Sequence, residues 1–231
     1  MSVYQAPAAD MEFVVNELVG LAPIQALPGN EEINAELLSS IIEEAGKFAT
    51  GVLDPLNWPG DREGAKLENH VVTPAAGFTA AYKAFCDGGW GGLANDPRWG
   101  GQGLPHMFQA LAAEMWNSSC MSFALCPMLT AGAIQAIKRH GSDGLKEIYL
   151  SKLVSGEWSG TMNLTEPQAG SDLSAVRAKA VPEGDHYRIF GTKIYITWGE
   201  HTMADNIVHL VLARTPDAPE GVKGISLFVV P

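Results

Sequence analysis

The strongest constraint on the fold is a change in the hydrophobic pattern near residue 158. Before it, apolar residues recur every three or four positions, as on amphipathic helices. After it, they alternate or form short β-branched runs separated by turn residues. Helices followed by a block of strands, without alternating βαβ units, predict an α+β fold. We therefore expect a helical domain, a boundary between Gly156 and Gly160, and then a sheet domain.

Start and stop signals divide the first part of the chain. Asp10 and Asn30 are the predicted N-caps of the first two helices, and Asp54-Pro55 is predicted to end the second. Four further helices are predicted to begin at Thr73-Pro74, Pro105, Ser122 and Ser142, with Gly88 ending the first of these four. The predicted domains are a 1–30 extension with a short helix, a 31–157 helical domain and a 158–231 sheet domain.

Five segments of the second part read as strands. They are Ala175–Val181, Tyr187–Phe190, Lys193–Thr197, Asn206–Leu212 and Ile225–Val230. The last strand is apolar and would form an open sheet edge, which natural proteins avoid. We therefore expect the 231 residues to be the N-terminal portion of a longer protein.

Composition limits the functional classes. An apolar fraction of 46% is enough for a core, and a formal charge of −11 disfavours binding to nucleic acid. Three cysteines without paired spacing favour a reducing, cytoplasmic location. The sequence suggests neither a secretory segment nor a membrane-spanning run. The histidines have no metal-binding spacing, so we expect no metal site.

The segment Met162–Asp172, together with Lys193–Gly199, carries the chemical signal. Thr165, Ser171 and Thr197 supply hydroxyl groups beside residues that restrict the backbone. Pro167 fixes its own φ, and Gly170 can adopt a positive φ without steric cost. A rigid turn with outward-facing donors suits a planar ligand that gains negative charge, such as a flavin being reduced. An ordinary turn between strands is the alternative explanation.

The two segments Met162–Asp172 and Lys193–Gly199 together closely resemble the flavin-binding segment of the acyl-CoA dehydrogenases. Pro97–Pro105 is similar to a glycine-rich loop of that family, and Gly224–Val230 to a late strand of its middle domain. A finer likeness, to the longer bacterial subgroup that oxidises 3-methylthiopropanoyl-CoA, is carried by Tyr4–Pro7, Asp10–Phe13 and Gly199–His201.

The resemblance implies an N-terminal helical domain, a β-barrel middle domain and a C-terminal helical domain outside this chain. It implies FAD-dependent α,β-dehydrogenation of an acyl-CoA, in a homodimer or homotetramer that passes electrons to an electron-transferring flavoprotein. The family's catalytic base is a glutamate of the C-terminal domain, so no catalytic residue is predicted here. Glu166 and Asp172 are instead predicted to accept hydrogen bonds within the turn.

The resemblance also assigns roles within the motif. Thr165 would bond the pyrimidine edge of the flavin, Thr197 would approach N5, and Ser171 would reach the cofactor or the pantetheine arm of the substrate. Tyr195 stands where the family often has a tryptophan packed on the flavin, and Trp198 where it has an asparagine. The predicted cofactor-binding residues are Met162, Leu164, Thr165, Gly170, Ser171, Tyr195, Ile196 and Thr197.

Two other functions stay open: a flavin oxidase that uses oxygen, and a flavin- or CoA-binding module without catalysis. A short-to-medium acyl chain is expected, with Met121, Phe123 and Met128 as candidate pocket residues. The CoA phosphates would need a basic patch within an acidic chain. Lys138, Arg139 and Lys179 are the candidates for that patch.

Overall fold

A computed structural model describes residues 3–231 and places the helices before the main sheet. The α-helices are α1 (Ala8–Phe13), α2 (Leu21–Gln25), α3 (Ala35–Phe48), α4 (Asp54–Glu63), α5 (Phe78–Asp87), α6 (His106–His140) and α7 (Asp143–Ser155). Two π-helical turns, Val14–Val19 and Ala49–Leu53, extend α1 and join α3 to α4. The predicted order of a helical part followed by a sheet part is confirmed.

The strands are short and form three small sheets. They are β1 (Lys66–Glu68), β2 (Val71–Thr73), β3 (Trp158–Asn163), β4 (Lys179–Glu183), β5 (His186–Phe190), β6 (Asn206–Ala213) and β7 (Ser226–Val230). β1–β2 and β4–β5 are antiparallel pairs, whereas β6 lies between a parallel β3 and an antiparallel β7. A bridge between Lys179 and Arg214 joins β4 to the end of β6.

The long helix α6 forms the centre of the helical part. Two predicted helices meet within it at Cys120, whose backbone is non-helical (φ −154°, ψ 84°). Phe108, Met115 and Phe123 are fully buried along it. Its most apolar 18 residues have a mean hydropathy of 1.6, so α6 alone among the described helices could span a membrane by length and composition. The sequence had indicated no such run, and the buried side chains show that α6 is a core helix here.

The two parts of the chain meet where α6 packs on β3. Gly160 allows this close approach, because a Cβ there would lie 2.6 Å from Cβ of Ala133. The Gly160 N–H donates to Oγ1 of Thr130 on α6 at 3.0 Å. The Tyr82 hydroxyl on α5 donates to the Gly156 carbonyl at 3.0 Å, just before β3 begins. The helical part therefore fixes the position of the strand that leads into the Thr165 motif.

Several predicted helix boundaries are wrong. Asn34, not Asn30, caps α3 by accepting from the Leu37 N–H. Asp10 lies inside α1, and Asp54-Pro55 begins α4, because proline in the first turn lacks only an N–H that has no helical partner there. Thr73 ends β2, and the next helix begins only after Gly77.

The strands do not close into a barrel within residues 3–231. The predicted strand Lys193–Thr197 is absent, because Tyr195 and Trp198 adopt positive φ values of 57° and 51° that an extended strand excludes. The predicted strand from Ala175 begins only at Lys179, after a 3₁₀ turn over Leu173–Ala175. β3 had not been predicted.

Candidate functional site

The structure brings the two halves of the motif side by side. The Ile194 N–H donates to the Thr165 carbonyl at 3.0 Å, and Oγ1 of Thr161 donates to the Thr197 carbonyl at 2.8 Å. Thr165 and Thr197 therefore lie on neighbouring segments, although 32 positions separate them in the sequence. The predicted site residues Met162, Leu164, Thr165, Tyr195, Ile196 and Thr197 all belong to these paired segments.

Glu166 holds the paired segments together from inside. Its side chain is 3% exposed and lies 2.8 Å from the Lys193 ammonium, which also donates to the Leu164 carbonyl at 2.9 Å. One carboxylate oxygen accepts from Lys193 and from the Ala178 N–H at 3.0 Å. The other accepts from the Gln168 amide at 2.6 Å and the Arg177 N–H at 2.8 Å.

This bonding determines the ionisation of Glu166. Burial opposes its charge, but the Lys193 ammonium and the N–H groups of Arg177 and Ala178 lower its pKa below the ordinary value. Asp172 caps the turn after it, and bonds from Ser174 lower the Asp172 pKa too. The prediction that both acids accept structural hydrogen bonds is confirmed, but three of the four donors to Glu166, from Arg177, Ala178 and Lys193, lie outside the turn in which they were expected. A carboxylate stabilised as the anion is a poor general base.

Tyr195 has the geometry of a residue held for a ligand. It is 90% exposed and has a φ of 57°, which is costly for a residue with a Cβ. Strained residues of this kind concentrate at functional sites. An exposed aromatic ring in such a conformation fits stacking on a planar cofactor.

Three hydroxyl groups of the motif are free to bind. The hydrogen bonds described for residues 3–231 leave the hydroxyls of Thr165, Ser171 and Thr197 without a partner in the chain. Thr165 is half-buried, whereas Ser171 and Thr197 are exposed. Gly170 does not have the predicted positive φ, and a Cβ on it would meet no atom within 4 Å. Open space beside free donors fits a ligand approaching the backbone.

Trp198 and His201 support the site, a role that sequence reasoning did not assign to them. The Trp198 indole donates to the Ser122 carbonyl of α6 at 2.9 Å, and its ring packs 5.5 Å from the His201 ring. Nδ1 of His201 accepts from the Met203 N–H at 3.1 Å, and Nε2 lies 2.9 Å from Oγ of Ser159. Burial, with a smaller effect of His209, lowers the His201 pKa to about 4. Neutral His201 therefore supports the Trp198 turn.

The candidate acyl-pocket residues are not equivalent in the structure. Phe123 is fully buried, 6.2 Å from the rings of Phe78 and Phe85, so it belongs to the helical core. Met121 and Met128 are 58% and 50% exposed on α6. Only the two methionines are therefore accessible to a ligand.

The family models for "Acyl-CoA dehydrogenase, N-terminal domain" and "Acyl-CoA dehydrogenase, middle domain" match residues 39–157 and 161–231. The chain belongs to the acyl-CoA dehydrogenase family. Among its relatives is the 3-methylmercaptopropionyl-CoA dehydrogenase of Ruegeria pomeroyi, which is 54% identical over 99% of this chain and 39% of that protein. A butyryl-CoA dehydrogenase of Syntrophomonas wolfei is 36% identical over 96% of this chain and 37% of that protein.

A solved structure shares the fold of this chain. The Mycobacterium smegmatis glutaryl-CoA dehydrogenase in complex with FADH2 superposes with a TM-score of 0.67 at 26% identity, over 91% of this chain and 49% of that chain. The chain spans about two-fifths of the length of the curated relatives named above.

We expect the Lys193→Met substitution to lower the free energy of unfolding by about 3 kcal/mol, because it leaves the Glu166 charge buried without its cation. Glu166→Gln combined with Lys193→Met should cost less than the sum of the single changes by about 1–3 kcal/mol. Urea unfolding of the four proteins measures this coupling. The exposed pair Lys83–Asp87 supplies the control, since Lys83→Met should cost under about 1 kcal/mol. Equal costs for Lys193→Met and Lys83→Met would contradict the structural role.

The lowered pKa of His201 predicts that the free energy of unfolding decreases in acid. Its pKa is about 4 when folded and 6.5 ordinarily, so between these values the unfolded chain binds a proton that the folded chain does not. This group's contribution should therefore fall as the pH drops from about 6.5 to 4, by at most about 3 kcal/mol. Free energies of unfolding at pH 7 and 4.5 should differ less for His201→Gln than for the unsubstituted protein. The same change at exposed His140 should leave the difference unaltered, and identical pH dependence in both variants would argue against this assignment.

Proposed function

We propose that the intact protein is an FAD-dependent acyl-CoA dehydrogenase that forms a double bond between Cα and Cβ of an acyl-CoA thioester. The observation that carries the proposal is the pairing of residues 161–166 with 193–197, with three unpartnered hydroxyls and the exposed Tyr195 beside it. The relatives' printed activities and the FADH2 complex of a similar structure support it.

FAD, when bound, supplies the acceptor for the hydride that leaves the β-carbon. The chain's own residues bind and orient. Thr165 and Thr197 present hydroxyl donors, Ser171 presents one at the outer end of the turn, and Tyr195 offers a ring for stacking. Donors held in place before the reaction stabilise negative charge without reorganising. Because Glu166 and Asp172 are engaged in structural bonds, we propose that the base lies outside residues 3–231.

The favoured substrate is 3-methylthiopropanoyl-CoA, within a short-to-medium range of acyl chains. The relative at 54% identity carries the corresponding name. The accessible Met121 and Met128 suit a sulfur-bearing chain, because thioethers are polarisable and adapt to irregular apolar surfaces. An electron-transferring flavoprotein is the proposed acceptor, and a cytoplasmic homodimer or homotetramer the proposed form.

Thr165→Ala tests the cofactor site. It should weaken FAD binding by about 1–3 kcal/mol, or lower the flavin potential by the equivalent amount, since a flavin polar atom would lose its donor. Thr165→Ser keeps the hydroxyl and should stay within about 1 kcal/mol of the unsubstituted protein. FAD titration of the apoprotein and a redox titration give both quantities. If Thr165→Ala binds FAD with unchanged affinity and potential, Thr165 does not contact the flavin.

The substrate proposal predicts kcat/KM values for the intact protein. We expect 3-methylthiopropanoyl-CoA and butyryl-CoA to exceed palmitoyl-CoA, because the exposed methionines offer a short apolar contact. A preference for palmitoyl-CoA would overturn this substrate range. Rapid reoxidation of the reduced enzyme by air, without an added acceptor, would identify an oxidase instead. FAD binding without turnover of any acyl-CoA would identify a binding module.

A further inference from the structure

The hairpin β1–β2 in the helical part of the chain has an open edge. It is a two-stranded sheet without a third strand among residues 3–231. Its register pairs Lys66 with Thr73, Leu67 with Val72 and Glu68 with Val71. Every residue of β1 is exposed. Because two strands alone are only marginally stable in water, a further strand packed against this hairpin would stabilise it.

The turn of the hairpin determines which backbone groups of β1 face outward. Asn69 and His70 are its two central residues, and their φ values of 50° and 66° are those of a type I′ turn. In a β-turn the carbonyl of the first residue accepts from the N–H of the fourth, here Glu68 and Val71. Hydrogen-bonded and non-bonded pairs then alternate along the ladder. The N–H and the carbonyl of Leu67, in the next pair, therefore point away from β2.

The open edge of β1 is accessible from outside. The Leu67 residue is 70% exposed, and Lys66 and Glu68 beside it are exposed as well. Gly64, just before the strand, has a φ of 66°, and a Cβ added there would meet no atom within 4 Å. In the part of the chain that the structure describes, β1 has a strand neighbour on one side only. A strand from another molecule can therefore reach the Leu67 N–H and carbonyl.

The sequence Lys66-Leu67-Glu68 is complementary to itself. A second copy placed antiparallel along this edge, with a two-fold axis at Leu67, would bring the two Leu67 residues face to face. Residues that face each other in a bonded antiparallel pair exchange both N–H···O=C bonds, and the outward groups of Leu67 are suited to this. The same register sets Lys66 opposite the partner's Glu68 and, by symmetry, Glu68 opposite the partner's Lys66. Opposite charges that face each other across a pair of strands stabilise it.

Neither charge of β1 is compensated within its own chain. The ion pairs found among residues 3–231 do not include Lys66 or Glu68. Across the hairpin these two residues face the uncharged Thr73 and Val71. Lysine on an exposed edge usually opposes pairing between copies. Here the edge offers Glu68 to the partner's Lys66, whereas a parallel copy in register would set like charges together. The charges therefore select an antiparallel copy.

The opposite face of β1 is apolar. Side chains alternate along a strand, so Leu67 lies on the other face from Lys66 and Glu68, beside its cross-strand neighbour Val72. Two-fold pairing brings the Leu67 side chains of both copies together on that face. The combined sheet would have four strands, with charge pairs on one face and an apolar contact on the other. Three or more strands with an apolar face are what a sheet needs for stability of its own.

We propose that β1 is a contact between two copies of this protein, in which their hairpins join into one antiparallel sheet with a two-fold axis at Leu67. This inference rests on the homo-oligomer of the proposed function, but it needs neither FAD nor an acyl-CoA. Two strands of three residues bury far less than the roughly 1,000 Å² of a specific interface, so β1 would form one part of a larger contact. The backbone bonds and the charge pairs would fix the register of the two copies.

Disulfide cross-linking of the intact protein tests whether the two edges meet. Leu67→Cys puts a thiol on each side of the axis, and the Cα–Cα distance of about 5.5 Å in a bonded pair is one that a disulfide spans. Oxidation followed by non-reducing electrophoresis detects the linked dimer. Leu27→Cys is the matched control, because Leu27 is 56% exposed and lies outside the hairpin. The unsubstituted protein gives the background from its own cysteines, Cys86, Cys120 and Cys126.

We expect Leu67→Cys to link at least about tenfold faster than Leu27→Cys, because pairing holds its two thiols at a high effective concentration. In the Leu67→Cys background, Lys66→Glu and Glu68→Lys should each slow linking several-fold at low salt, since each sets like charges across the axis. The two changes together restore opposite charges and should recover the rate. Lys223→Glu, at an exposed lysine outside the hairpin, should leave the rate unaltered.

Other outcomes overturn the contact. Equal linking rates for Leu67→Cys and Leu27→Cys show that the edges do not meet. The two single charge changes alter the charge beside the thiol in opposite directions, so a rate that falls in one and rises in the other reports thiol reactivity and rejects the register. Sedimentation of the unsubstituted protein separates the remaining cases. A monomer rejects the proposed homo-oligomer together with this contact, whereas an oligomer that Leu67→Cys does not link rejects the contact alone. FAD binding and turnover judge the proposed reaction independently.

Discussion

The buried contact between Glu166 and Lys193 is the interaction on which the site depends. It joins three segments: the turn after β3, the backbone that leads into β4, and the residues beside Thr197. A buried carboxylate is tolerated only when its oxygens are satisfied and its charge is paired. Four donors meet that condition together, and shifting any one segment would leave at least one of them unpaired. The pair therefore specifies how the two halves of the motif lie against each other.

This arrangement explains how strained residues persist at the end of the motif. Tyr195 and Trp198 each adopt a positive φ, at a cost on the order of 1–3 kcal/mol per residue. Lys193 anchors the segment before them, and the bond from Trp198 to the Ser122 carbonyl anchors it afterwards. Neutral His201 packs against the Trp198 ring. Contacts on both sides thus hold Tyr195 with its ring in solvent.

Sequence patterns predicted the order of helices and strands, because that order depends on local spacing. The residues of the motif came from the resemblance to the acyl-CoA dehydrogenases. The patterns failed where distant contacts override local preference. Lys193–Thr197 alternates like a strand, yet Trp198 and Lys193 hold it in a turn. Three of the four donors to Glu166 come from residues 11, 12 and 27 positions away, so the local sequence did not indicate that cluster. Both asparagines suit an N-cap, but Asn34 accepts from an N–H of the first helical turn, whereas the Asn30 side chain donates to the Ile24 carbonyl.

The charged residues of the motif, Glu166 and Lys193, hold its structure and are not suited to proton transfer. Glu166 is the only carboxylate buried within the described part of the chain, and its four donors stabilise the anion. Taking a proton from a substrate would weaken every one of those bonds, so Glu166 is far more stable as a structural anion than as a base. The Lys193 ammonium is paired with the Glu166 carboxylate and is therefore not available to neutralise a phosphate. An anionic group of a ligand must therefore pair with cations other than Lys193.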